Sequence, residues 1–352
     1  MLFHKLTIDV DAIEESFASI PENVTHLDLS GNDLGQMFTE ELKALMDAIP
    51  ESVTSLNLSD NDLSQMSTEE LAALMGGISK NVTHLNLSRN NLGHMSMEKL
   101  VALMSRISKN VTHLSLSLNF LNTMTPEQLL AAFKDTIPQS VTHLDLSWNY
   151  LGRMSVEQLE ALKDTIPENV THLDLSGNQL DKMTKEQQLT ALIAAIPESV
   201  THLGLIRNNL EIMSAQDLNA FILKIPSHVT LINLRRNKLF INKTPEDIDI
   251  FLKKLVDVRS RLDLRQNGEP ELSRAIAPLI QMGTFGVLEN QKIIPPEINA
   301  KIASHLSRSP ENHIFQFIMK HTAMICKRKF TVGTVVTDSP CKEPIERAEL
   351  LH

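Results

Sequence analysis

The sequence predicts an α/β solenoid: a parallel sheet on the concave face, helices on the convex face and a small helical C-terminal module. Three observations predict it. The segment from Val24 to Leu34 recurs down the chain, marked by Asn32, Asn61, Asn90, Asn119, Asn149, Asn178, Asn208 and Asn237, with a degenerate ninth copy ending at Asn267. The markers stand 29 or 30 residues apart throughout, and a period of that length is the mark of stacked supersecondary units. Each copy opens with a strand pattern and closes with a helix pattern.

The strand comes first. Leu27 and Leu29 alternate with His26 and Asp28, the period of a strand with one apolar and one polar face. Beyond it the chain must turn, which leaves buried amide groups without partners. An inward Asn carries both donors and acceptors and can serve neighbouring turns. The marker asparagines are therefore expected to form a structural ladder.

The helix follows. Ser67-x-x-Glu70, Ser155-x-x-Gln158 and Thr184-x-x-Gln187 are capping boxes. Thr125-Pro126 and Thr244-Pro245 place proline at a first helical position. Leu42, Leu45 and Ile49 share one helix face, and Pro50, Pro138, Pro167, Pro197 and Pro226 end the helices. Met37, Met66, Met95, Met124, Met154, Met183 and Met213 form a column after the asparagines, expected to fill irregular core space. One unit cannot bury its apolar side alone, but a stack can. Strands pack about 4.8 Å apart and helices about 10 Å apart, so the stack bends with its strands inside.

The spacing of Val24, Leu27, Leu29 and Asn32, repeated nine times, resembles the leucine-rich-repeat signature LxxLxLxxN. The repeat length and helical second half resemble the ribonuclease-inhibitor-like class. The resemblance covers residues 24–267 and implies a horseshoe that binds another protein. The near-identical repeats and short cap also resemble leucine-rich-repeat effectors of intracellular bacteria, which implies export by a bacterium into the host cytosol. Glu343, Glu346 and Glu349 look like the acidic tail of effectors sent by type IV secretion.

The chain divides into an N-terminal cap at 1–23, the repeat domain at 24–267, a helical module at 268–330 and a loose tail at 331–352. Ile8, Ile13, Phe17 and Ile20 give the cap its apolar side. The net charge of −10 argues against nucleic acid, which binds basic surfaces. No apolar run is long enough for a membrane span, and residues 1–19 carry no secretory signal pattern. The two cysteines, Cys326 and Cys341, form no disulfide framework, which points to a reducing, cytoplasmic setting.

Stacking in register turns each non-core strand position into a column. The first holds His26, Ser55, His84, His113, His143, His172, His202, Leu231 and Arg261. Its histidines invite a metal site, but no Cys or Glu completes one, so the column is read as the default residue of the repeat. Crowded histidines would resist joint protonation, which suggests sensitivity to pH. The second column holds Asp28, Asn57, Asn86, Ser115, Asp145, Asp174, Gly204, Asn233 and Asp263. Its carboxylates are read as solvated charge, with Asp145 and Asp174 adjoining.

The residues flanking the asparagines are the most informative. Gly31 and Asp33, Asp60 and Asp62, Gly177 and Gln179 are small or polar, but Leu118, Phe120, Trp148 and Tyr150 are large and apolar. They include the only Trp and the only Tyr of the chain, and rigid aromatics dominate binding energy at interfaces. They are expected to form one apolar patch at the edge of the concave face, rimmed by Arg89 and Arg153. Arg207, Arg235, Arg236 and Arg265 make the last repeats basic, a candidate arm for an acidic partner or a phosphate group.

The chain is therefore read as a non-enzymatic interaction scaffold without cofactor or metal, binding a protein partner on its concave face. Two alternatives differ in class. Ile294 to Ile298, with Ile302 and Leu306, is similar to the opening helix of an F-box, which implies a substrate receptor docking on a ubiquitin-ligase adaptor. An enzymatic reading places a nucleophile at Cys326 or Cys341, with His305, His313 or His321 as base.

Overall fold

In the computed structural model, residues 2–9, 12–183, 186–241, 251, 254–255 and 257–267 are described. The expected C-terminal module and tail, with their F-box-like, acidic and cysteine features, lie outside them, as do Thr184 and the Thr244-Pro245 helix start.

Among the described residues the strands form one parallel sheet of ten in strict chain order. They are β1 (Phe3–Lys5), β2 (His26–Asp28), β3 (Ser55–Asn57), β4 (His84–Asn86), β5 (His113–Ser115), β6 (His143–Asp145), β7 (His172–Asp174), β8 (His202–Gly204), β9 (Leu231–Asn233) and β10 (Leu262–Asp263). Among the described residues the helices are α1 (Ile13–Ala18), α2 (Thr39–Ala48), α3 (Thr68–Gly76), α4 (Met97–Met104), α5 (Pro126–Phe133), α6 (Val156–Lys163), α7 (Glu186–Ala194) and α8 (Ala215–Lys224). None is long and apolar enough to cross a membrane. Strand and helix alternate from β1 to β9, so each crossover returns the chain to the next parallel strand.

Register is uniform. His84 pairs with His113, His113 with His143, and His143 with His172. The inward leucines set this across repeats of both lengths, because a one-residue slip would turn them out to solvent. Leu27, Leu56, Leu85, Leu114, Leu144, Leu173 and Leu203 stack in a single buried column, and Met66, Met124 and Met154 are buried with them in one core.

The capping boxes hold the helix starts. Ser67 Oγ accepts from the Glu70 amide at 3.2 Å, and Glu70 Oε2 accepts from the Ser67 amide at 2.7 Å. Thr125 with Gln128 and Ser155 with Gln158 repeat the arrangement, and Pro126 stands at the first turn of α5. Pro50 and Pro226 directly follow the C-caps of α2 and α8, as the sequence suggests, but the helices before Pro138, Pro167 and Pro197 end earlier. Helix α5 stops at Phe133, well before Pro138, and Asp135 lies at φ 62° in between. The carbonyl of each proline also receives the amide of the following valine, as Pro138 does from Val141 at 3.0 Å.

The asparagine ladder ties repeat to repeat. Asn149 Oδ1 accepts from the amides of Asn119 at 2.9 Å and Leu121 at 3.3 Å. Its Nδ2 donates to the carbonyls of Leu116 at 2.9 Å and Leu146 at 3.1 Å. The ladder reaches the first strand, where Asn32 Oδ1 accepts from the Ile8 amide at 2.7 Å and Asn32 Nδ2 donates to the Leu6 carbonyl at 2.9 Å. Leu6, Phe17 and Ile20 are buried against the core.

Candidate partner-binding face

Because the leucines point inward, the intervening His, Asp/Asn and Ser positions share the opposite, open face of the sheet. The histidines of β4 to β8 form a continuous stack. Ring centroids lie 3.9 Å apart for His84–His113, 4.0 Å for His113–His143 and His143–His172, and 4.1 Å for His172–His202. Each ring is tethered by the threonine before it: Thr83 Oγ1 lies 2.9 Å from His84 Nδ1 and donates to the Thr54 carbonyl at 3.2 Å. A hydroxyl that gives its proton to a carbonyl accepts one from Nδ1–H, which leaves Nε2 as the acceptor. Among the described residues no group of three or more His, Cys, Asp or Glu could hold a metal ion.

Burial first, and neighbouring imidazoles second, hold His84, His113, His143 and His172 below the ordinary value of 6.5. An imidazole with a lowered folded pKa is protonated more readily in the unfolded chain. Its contribution is therefore whole above the unfolded pKa and is lost as pH falls through it. The melting temperature should fall steadily from about pH 7.5 to about pH 5, and H113N/H143N should flatten that fall. A flat wild-type profile would refute the account of the stack.

The second column closes the strand ends. Asp145 Oδ1 accepts from the Ser147 amide and Asp174 Oδ1 from the Ser176 amide, both at 2.9 Å. Asn57 and Asn86 do the same for Ser59 and Ser88. Burial pushes the Asp174 carboxyl up, with a smaller push from Asp145. Ser115 Oγ donates to Asp145 Oδ2 at 2.8 Å. These carboxylates serve as turn acceptors more than as solvated charge.

The residues around each asparagine divide into two columns. The one before it borders the open sheet face: a polar hollow of about 330 Å³ is lined by Ser30 and Ser59 together with Gly31, Asp60 and Arg89. Leu118 and Trp148 continue this column. Trp148 is 40% exposed, and its indole lies over Gly177, where a Cβ would fall 2.4 Å from the ring. The column after the asparagine holds Phe120 and Tyr150, whose rings stack at 5.9 Å. His94 meets Phe120 at 5.3 Å, and the Arg153 guanidinium sits 5.2 Å over the Tyr150 ring. The structure thus brings Phe120 and Tyr150 into ring contact, with Arg153 at their edge, and seats Trp148 on the next repeat's glycine. Arg89 lies apart from Arg153, beside Asp60 at 3.9 Å.

Both columns require left-handed backbone, a feature the sequence reading passed over. Leu118, Phe120, Trp148 and Tyr150 have φ of 56°, 58°, 58° and 58°. Elsewhere the same positions hold Gly31, Gly177, Asp33, Asp60, Asp62, Asn91 and Asn209, residue types that tolerate this region, but also Arg89, Gln179, Arg207, Arg236, Lys238 and Gln266. The partial enrichment in Gly, Asp and Asn was the available signal.

The basic residues split by availability. Arg265 is committed to Asp263, with Nε to Oδ1 at 2.8 Å and Nη2 to Oδ2 at 2.5 Å. Arg235 is half-buried, with its Nε enclosed and unpartnered among the described residues. Arg236 is exposed and donates through Nε to Gln266 Oε1 at 2.8 Å. Arg207 is exposed, with no side-chain partner among the described residues. Arg261 braces the fold, donating to the carbonyls of Pro226 at 2.7 Å and Val229 at 2.8 Å.

Comparison with known proteins agrees with this architecture. A family model described as Leucine Rich repeat matches residues 21–36, 79–101 and 167–182. The crystal structure of the leucine-rich-repeat-containing protein LegL7 from Legionella pneumophila matches with a TM-score of 0.70 and 32% identity, over 88% of this chain and 99% of that one. The C-terminal domain of Caenorhabditis elegans tropomodulin matches at 14% identity and a TM-score of 0.32, over 49% of this chain and 93% of that one. A yeast Rad7–Elc1 complex structure matches at 13% identity and 0.38, over 72% and 73%. No curated protein matches the sequence. The repeat signature, the single parallel sheet with alternating helices and the likeness to LegL7 together place this chain in the leucine-rich-repeat family.

Proposed function

We propose that this chain is a non-enzymatic interaction scaffold of bacterial origin that acts in the host cytosol, binding a host protein on its concave sheet face. Leu118, Phe120, Trp148 and Tyr150 form the apolar anchor, and the basic last repeats flank it. The observation that carries this reading is the placement of four large apolar residues at turn positions that hold glycine or polar residues in the other repeats, with Trp148 40% exposed. Rigid aromatic side chains of this kind dominate binding energy at interfaces. A preformed sheet face also lowers the ordering cost of binding. The 32% identity to a Legionella protein supports the bacterial setting. Affinity capture from host-cell lysate tests the reading. The wild type should retain a partner that L118A/F120A/W148A/Y150A loses, with both proteins shown to fold; an unchanged set of captured proteins would overturn the anchor.

A further inference from the structure

We propose that the column before the asparagines is a peptide-reading strip for an acidic segment bearing an apolar residue: Leu118 and Trp148 seat the apolar side chain, and Arg207 and Arg236 receive carboxylates. The inference deepens the reading above and rests on it.

The strip is continuous by register. From β3 to β9 this column reads Asp60, Arg89, Leu118, Trp148, Gly177, Arg207 and Arg236. Its only carboxylate is Asp60, at the far end from Arg207 and Arg236. In a chain of net charge −10, a column with three arginines and one aspartate is a local inversion of sign. Every non-glycine member is in left-handed backbone, including Arg207 at 55° and Arg236 at 57°. The same turn geometry therefore presents all of these side chains beside the open sheet face.

The two arginines have free donors to give. Gln266 holds the Arg236 guanidinium by Nε and leaves its terminal nitrogens for a ligand. A guanidinium fixed at one edge keeps the fork that recognises a carboxylate bidentately. Arg235 and Arg265 are set aside, because one is half-buried and the other is occupied by Asp263. Gly177 leaves a gap between Trp148 and Arg207 that the indole covers. At about 4.8 Å per strand, Arg207 lies about 10 Å and Arg236 about 14 Å along the sheet from Trp148. An extended peptide advances about 3.3 Å per residue. Its acidic residues should then stand about three to five positions from the apolar one.

Selection of random 12-residue peptides displayed on phage, against the full chain, tests this. Enriched peptides should share an apolar residue with Asp or Glu three to five positions away. A synthetic peptide of that pattern should bind R207E/R236E at least about tenfold more weakly than wild type, and should weaken with added salt. Both arginines are exposed, so urea denaturation should find that variant folded. No enrichment, enrichment of basic or uncharged peptides, or equal binding by R207E/R236E would overturn the acidic-peptide assignment and leave the scaffold reading standing. Peptides that bind Trp148→Gly as well as wild type would overturn the anchor itself.

Discussion

Replacing Asn149 by alanine is expected to lower the unfolding free energy by about 4 kcal/mol. The side chain receives two amides and supplies hydrogens to the carbonyls of Leu116, Leu146 and Ser147. Alanine offers none of these bonds, and Asn149 is fully buried, so no solvent reaches the groups it leaves. Each buried group left unpaired costs about 1–3 kcal/mol. The loss falls on both sides of one junction, because the partners belong to the repeats of Asn119 and Asn149. In a stack held by nearest-neighbour contacts, weakening one junction uncouples the two halves. Urea denaturation should show a lower midpoint and a broader transition. A loss under about 1 kcal/mol would mean that water or backbone rearrangement replaces the amide.

Replacing Gly177 by alanine should cost about 2–3 kcal/mol and expel the Trp148 ring from its seat. Two effects add. Gly177 has φ 68°, where any Cβ is strained. That Cβ would also lie 2.4, 2.5 and 2.9 Å from three atoms of the indole, so the ring must turn away and lose its contact. Trp148 is the only tryptophan of the chain, so its fluorescence reads the displacement without interference. The emission should move to longer wavelength as the ring enters water, and partner affinity should fall although the substitution adds only a methyl group. An unchanged spectrum together with unchanged stability would mean that the indole does not rest on this glycine.

Much of this was legible in the sequence, for physical reasons. The repeat fixes the register, the alternation of Leu27 and Leu29 with His26 and Asp28 fixes the faces, and the need to satisfy buried turn amides explains every marker asparagine. Less was legible where one residue type serves two purposes. Asp145 and Asp174 read as surface carboxylates, yet each closes its own strand end by accepting an amide two residues on. The prolines read as helix stops, which holds at Pro50 and Pro226, yet each also shapes the turn before the next valine. The arginines of the last repeats read as one arm, but their partners are set by contacts no periodicity encodes: Asp263 takes Arg265, and Gln266 steadies Arg236. The four large residues stood out by composition alone. Their left-handed backbone was encoded only faintly, because Arg, Lys and Gln stand at equivalent positions beside Gly31, Gly177 and the Asp and Asn residues.

Trp148→Gly probes the anchor with the least disturbance, because Gly31 and Gly177 occupy the same column in the same backbone region. The central claim is that this column binds a partner, and its most direct test is a calorimetric titration of the captured partner into wild type and Trp148→Gly. An anchoring aromatic is worth about 2 kcal/mol or more, so the variant should bind about 30-fold more weakly or worse while remaining folded. Affinities within about twofold of each other would contradict the claim and leave Trp148 as packing on Gly177 alone.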